Sequence, residues 1–354
     1  MISANKLCKR FGPVRAVNNV SFEVEKGEIV GFLGSNAAGK TTTMRILTCY
    51  FPPSSGSATV AGYDIFNDSL KVRRHVGYLP ENVPLYDGMP VDYFLDFVAS
   101  LKGVGGKERE QKVESAIKRC GLEPVFDERI GNLSKGFRQR VGIAQAIITD
   151  PPVLILDEPT VGLDPKQIIE IRSLIKSFGG KSTVILSTHI LHEIEKVCNR
   201  ILIIDEGEIL EFDTLKNLSE KLQDKYSINL TVKGPTEKVK NTLKEINGVE
   251  KVRDMGKLDK GIYKYRLITK KEPALLEVIS TGLSNNEFII LEMFREQMSA
   301  EDIFRKVVPD HVKKISEEEL QDKKVEKEDS KGKKEKKSSK DKETDKSDEK
   351  GGSK

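Results

Sequence analysis

Cysteine is scarce in this chain, and long apolar runs are missing altogether. The four cysteines, Cys8, Cys49, Cys120 and Cys198, stand far apart, form no C-x-x-C pair and have no histidine nearby at ligand spacing. A disulfide framework and a structural zinc are therefore not expected, and a reducing cytosol fits. Nowhere do about 18 apolar residues follow one another, and the opening Met-Ile-Ser-Ala-Asn-Lys has no basic start leading into an apolar core. Neither a membrane span nor a signal peptide is expected. An excess of one charge is also lacking. The formal net charge is +4, yet residues 321–354 hold 13 Lys against 10 Asp plus Glu, which leaves 46 basic against 45 acidic residues elsewhere. Bulk charge gives no reason to expect a nucleic-acid partner.

At about 150 residues per domain, 354 residues make two domains and a remainder. Up to about Leu218, β-branched runs alternate with longer helical patterns. Val14 to Val24, Glu28 to Leu33, Val153 to Leu156, Thr183 to Ser187 and Ile201 to Ile204 read as strands. The last three are nearly all apolar, as strands buried on both faces are, so an α/β domain with a largely parallel sheet is expected over residues 1–220. Between about residues 84 and 131 helical text takes over, at Asp92 to Leu101 and Lys107 to Cys120, and reads as an inserted helical subdomain. Residues 226–308 run β-α-β-β-α-β and then a closing helix, the order of a ferredoxin-like accessory domain, with no site chemistry of their own. Residues 313–354 are a Lys/Glu-rich tail that cannot bury enough surface to offset the entropy of ordering, so disorder is expected. A solvated tail and a weak contact with anionic lipid or a partner are the two readings of it.

After the strand Glu28 to Leu33 comes Gly34-Ser35-Asn36-Ala37-Ala38-Gly39-Lys40-Thr41-Thr42, followed by helical Met44 to Leu47. G-x-x-x-x-G-K-[ST] between a strand and a helix is what a triphosphate needs. Backbone N–H groups curl around phosphate, the helix start adds positive potential, Lys40 reaches β and γ oxygens, and the Thr41 hydroxyl ligates Mg²⁺. Val153 to Leu156 runs into Asp157-Glu158. A buried strand ending in two carboxylates puts Asp157 where it holds Mg²⁺ through water and Glu158 where it orients an attacking water.

With these residues the chain resembles the nucleotide-binding subunits of ABC transporters over about residues 2–220. Leu133-Ser134-Lys135-Gly136-Phe137-Arg138-Gln139-Arg140 stands where that family has its LSGGQ signature, with Ser134 as N-cap candidate. Alone, the segment reads as a helix cap; its place about 17 residues before Asp157-Glu158 makes it the signature. Phe11 matches the aromatic that stacks on adenine, and Glu81 lies in the γ-phosphate-sensing loop, where it is a further candidate for Mg²⁺. Gly162-Leu163-Asp164 matches the loop that crosses to a partner subunit, and His189 matches the switch histidine.

The resemblance implies an ATPase that binds ATP and Mg²⁺ and pairs head to tail. Lys40 of one copy and Ser134 with the Gly136 amide of the other would grip one γ-phosphate, with Glu158 as the base and His189 on the γ-phosphate. The partner it implies is a separate transmembrane permease, which places the chain at the cytoplasmic face of the cell membrane. Leu-Ser-Lys-Gly, Tyr-Leu-Pro-Glu and Ser299 to Phe304 look most like the branch that serves multidrug, gliding-motility or sodium-export permeases. Four residues depart from the family pattern: Ala37 and Lys135 each replace a glycine, and Phe137 and Glu81 each replace a glutamine. If residue 37 needs a positive φ, Ala costs about 1 kcal/mol there. The alternatives to a transporter subunit are a soluble ABC ATPase acting on ribosomes or DNA and a weakly hydrolysing member of a heterodimer.

Overall fold

The alternating apolar residues of Ile2–Phe11 (β1) and Val14–Val24 (β2) close an antiparallel hairpin across Gly12, which turns with φ 56°. The computed structural model describes residues 1–308, without the side chains of His192 and Glu193. After the hairpin come Ile29–Leu33 (β3), Lys40–Leu47 (α1), Ser55–Val60 (β4), Tyr63–Asp64 (β5), Ser69–His75 (α2) and Val76–Leu79 (β6). Val91–Leu101 (α3), Gly106–Cys120 (α4) and Lys135–Ile147 (α5) follow, then Val153–Asp157 (β7), Pro165–Lys176 (α6), Thr183–Thr188 (β8) and Leu191–Val197 (α7). Arg200–Asp205 (β9), Glu208–Asp213 (β10) and Leu215–Leu222 (α8) lead into Lys225–Lys233 (β11), Thr236–Glu245 (α9), Val249–Asp259 (β12) and Ile262–Lys270 (β13). Leu275–Ser284 (α10), Ile289–Glu296 (β14) and Ala300–Val307 (α11) complete them.

The central sheet has the order β10-β9-β3-β8-β7-β6 and is parallel from β9 to β6. Its interior strands are buried throughout, as their apolar composition requires. Successive side chains point to opposite faces, so two cores form. Leu154, Leu156, Val184 and Leu186 pack beneath α5 and α6, and this core continues into Phe94, Leu95, Ala116 and Cys120 of the helical insertion. Val153, Ile155, Ile185 and Phe32 pack on the other face, with α1 and the antiparallel sheet β2-β1-β4-β5.

Of that antiparallel sheet only β2 is read from the sequence. β4 is built of Ser, Gly, Ala and Thr with one Val, and β6 of the central sheet is four residues long, so neither offers a period to read. The third sheet has the order β12-β13-β11-β14, all antiparallel, with α9 and α10 on one face. This is the ferredoxin-like arrangement that the element order implies. β12 runs to Asp259 because it pairs with β13 as a long hairpin; its outer half is exposed and carries no apolar alternation. The stretch after β14 is tied back to the first 222 residues: Met298 N–H donates to Ser219 Oγ at 2.8 Å, and Ala300 N–H donates to the Glu195 carboxylate. The tail expected to be disordered lies outside the described residues. Among the described residues no helix is long and apolar enough to cross a membrane.

Sheet and helix approach closely at Gly77, where an added Cβ would meet Ala146 O of α5 at 2.0 Å. Gly77→Ala is expected to lower unfolding free energy in denaturant by about 1–3 kcal/mol through overpacking. A variant as stable as the parent would refute so tight a seat for α5.

Candidate functional site

Sheet order decides what meets at the site. β8 lies between β3 and β7, and β6 lies beyond β7, so four strand ends that are distant in the chain open side by side. In register, Leu33 stands beside Thr188, Asp157 beside Ser187, and Leu79 beside Leu156. The phosphate loop, both carboxylates, His189 and Glu81 thus leave the sheet at its carboxyl edge, where open parallel sheets hold ligands.

Residues 34–39 turn from β3 into α1. An added Cβ on Gly34 would stand 2.4 Å from Ile204 O, and one on Gly39, which has φ 105°, 2.5 Å from Ala16 O. Ala37 has φ 63°. The position therefore does use the left-handed backbone, at a cost of about 1–2 kcal/mol for a residue with a Cβ. Ser35 Oγ donates to Asp205 Oδ1 at 3.2 Å. Asn36 and Ala37 are exposed, Ala38 is buried, and Thr41 and Thr42 are half-buried at the start of α1. The Lys40 ammonium is buried and donates to Gly34 O at 2.8 Å and Ser35 O at 3.0 Å.

Opposite the loop, the Ser187 hydroxyl donates to Asp157 Oδ1 at 2.6 Å and accepts from Glu158 N–H at 2.9 Å. Burial pushes the Asp157 carboxyl above the usual carboxylate range, against hydrogen bonding from Ser187 and Thr41, which favours the ionised form. Its Oδ2 is buried without a hydrogen-bond partner. An unpartnered carboxylate oxygen on a residue that interacts with the Thr41 hydroxyl is an oxygen donor set that fits a hard divalent cation. Glu158 has φ 49°, a left-handed backbone rare for its residue type, and is 6% exposed. Its Oε1 lies 3.9 Å from Lys40 Nζ and its Oε2 lies 2.9 Å from His189 Nδ1.

The structure therefore brings Lys40, Thr41, Asp157, Glu158 and His189 together. Four candidates outside the phosphate loop, Phe11, Glu81, Ser134 and Gly136, have other surroundings. Phe11, at the tip of the β1–β2 hairpin, is half exposed and packs edge-on against Phe51 at 5.5 Å, beside the Lys9 ammonium. Glu81 is exposed just beyond β6. Ser134 caps α5 by accepting from Phe137 N–H, and Gly136 packs against Gln167. Two participants escaped the sequence reading. Ser187 shows its bridging role only once β7 and β8 are known to be neighbours. Asp205 carried the same signal as Asp157, an apolar strand ending in a carboxylate.

A family model described as ABC transporter matches residues 17–161. The chain is 33% identical over 308 residues to an uncharacterized ABC transporter ATP-binding protein, YxlF, of Bacillus subtilis, covering 87% of this chain and 99% of that one. It is 36% identical over 232 residues to the ABC transporter ATP-binding protein NatA of the same organism, covering 63% and 94%. Among solved structures, an ATP-binding subunit of an ABC transporter superposes with a TM-score of 0.58 at 28% identity, covering 62% of this chain and 92% of that one. A dimeric post-hydrolysis state of the ATP-binding cassette MJ0796 with ADP and Pi gives 0.56 at 25%, covering 60% and 98%.

Because burial holds Asp157 above its unfolded value, its ionisation costs folding stability at high pH, and that cost fades as pH falls through the raised value. Asp157→Asn is expected to raise the unfolding midpoint near pH 8, with the gain shrinking towards acid; a gain independent of pH rejects burial as the cause.

Proposed function

The chain belongs to the ATP-binding proteins of ABC transporters, and from that premise we propose that this ATPase works as an exporter subunit, pairing head to tail with a second copy and driving a separate transmembrane permease. Residues 1–220 are then the ATPase domain, about 84–131 its helical subdomain, and 226–308 an accessory domain. Two relatives support the direction of transport by name: 34% identity over 238 residues to the linearmycin resistance ATP-binding protein LnrL of Bacillus subtilis, and 35% over 219 residues to a probable multidrug ABC transporter ATP-binding protein, YbhF, of Escherichia coli. The permease would hold the chain at the cytoplasmic face of the membrane.

The observation that carries the reading is the Glu158 carboxylate, held on a left-handed backbone between the Lys40 ammonium and His189. Strain of this kind persists where surrounding structure enforces it, commonly in active sites. In the reaction, Glu158 takes or orients the proton of the attacking water, and His189 holds that carboxylate while contacting the γ-phosphate. Lys40 turns from the loop carbonyls to the β and γ oxygens, and backbone amides from Gly34 to Thr42 receive the phosphates. Thr41 and Asp157 would hold Mg²⁺, with Glu81 as a further oxygen donor; when bound, the ion neutralises phosphate charge. Phe11 offers its exposed ring to adenine.

Ser134 and Gly136, set at the start of α5, would act on nucleotide held by a second copy. Closure on ATP and release after hydrolysis then shift the pair between two states, and the permease follows.

Glu158→Gln is expected to bind MgATP, form a dimer in sedimentation and turn over at least about 100-fold more slowly than the parent. Lys40→Ala is expected to lose nucleotide binding. Parental turnover by Glu158→Gln removes that carboxylate from the mechanism, and a monomer at saturating MgATP removes the pairing. Loss of membrane co-purification on deleting a multi-span partner would place the chain on a permease, whereas retention on ribosomes would place it elsewhere.

A further inference from the structure

At the start of α5 two adjacent residues break local rules. Lys135 puts a cation in a helix first turn that has no acidic residue, against the helix dipole. Gly136 puts the poorest non-proline helix former beside it. Both meet the same neighbouring segment, residues 160–167. An added Cβ on Gly136 would lie 2.4 Å from Nε2 of Gln167, so the Gln167 amide lies against a bare backbone. An added Cβ on Gly162 would lie 1.9 Å from Lys135 Nζ and 2.9 Å from its Cε, so the Lys135 side chain lies over a second bare backbone. The two contacts are reciprocal: α5 supplies one knob and one hole, and the segment leading into α6 supplies the others. Gln167 is itself fixed by the capping box it closes with Asp164.

We propose that Lys135 is a positioning residue, which latches the loop around Gly162 to the start of α5, so that both segments reach a second copy of the chain as one pre-formed surface. The proposal rests on the head-to-tail pairing above. Lys135 and Gly162 are both exposed, and the lysine reaches the glycine with the end of its side chain, Nζ nearest and Cε and Cδ behind it. Without the latch the loop must be ordered at association, and that entropy is charged against pairing.

The test is sedimentation of full-length Glu158→Gln protein across an MgATP titration. Adding Lys135→Ala is expected to raise the nucleotide concentration needed for pairing by about three- to tenfold, from the ordering cost of one freed side chain and its loop. Nucleotide affinity of the unpaired chain and the thermal midpoint should stay unchanged. Lys135→Met, which keeps the stem and drops the charge, should pair like the parent. Gly162→Ala should impair pairing at least about threefold less in the Lys135→Ala background than in its absence, since contacting residues couple. Equal effects of Ala and Met, additivity of the Ala pair, or no effect of Lys135→Ala overturns the latch. Failure of Glu158→Gln itself to pair overturns the dimer and the latch with it.

Discussion

Two carboxylates buried at the edge of a parallel sheet set the terms for everything around them. Asp157 has no exposure and Glu158 very little, and moving such groups out of water costs several kcal/mol each. A single ammonium near 4 Å returns about 4 kcal/mol at the effective dielectric of such sites, so Lys40 alone does not close the balance. Ser187, His189 and Thr41 supply the remaining partners, and one Asp157 oxygen is still left without a hydrogen bond. The apolar strands stabilise the fold, and the site draws on that stability to hold charges poised for a polyanion and its counter-ion.

The same economy explains the backbone. Gly34 and Gly39 approach carbonyl oxygens too closely for any side chain, and Ala37 and Glu158 sit in left-handed conformations that their types resist. These positions flank one edge of one sheet. Ala37 and Glu158 are two of nine non-glycine residues with positive φ among the described residues, while the ferredoxin-like sheet carries a separate apolar core beneath its two helices.

Around the start of α5 a different constraint acts. The helix is seated on the sheet through Gly77, on the first turn of α6 through Gly136 and on the loop before α6 through Gly162. Each contact works because a glycine offers bare backbone to a neighbour. The start of α5 is thereby fixed to the core of its own chain.

Much of the chemistry was legible in the chain itself. The phosphate loop, the carboxylates after an apolar strand, and the strands β3, β7, β8 and β9 all announce themselves, because a buried parallel strand must be apolar and a phosphate cradle must contain glycine and lysine, and the antiparallel β2 shows by its alternation. The β-α-β-β-α-β order of the last domain was equally plain from periodicity. Short or small-residue strands such as β4 and β6 were not, since burial there comes from neighbours instead of pattern. Tertiary structure alone decided that β8 lies between β3 and β7, which carries His189 to Glu158 and Ser187 to both carboxylates across about 30 residues of chain. It alone also showed that Ala37 occupies a positive φ and that Lys135 lies over Gly162, because strand order and backbone sign follow from how the whole chain closes on itself.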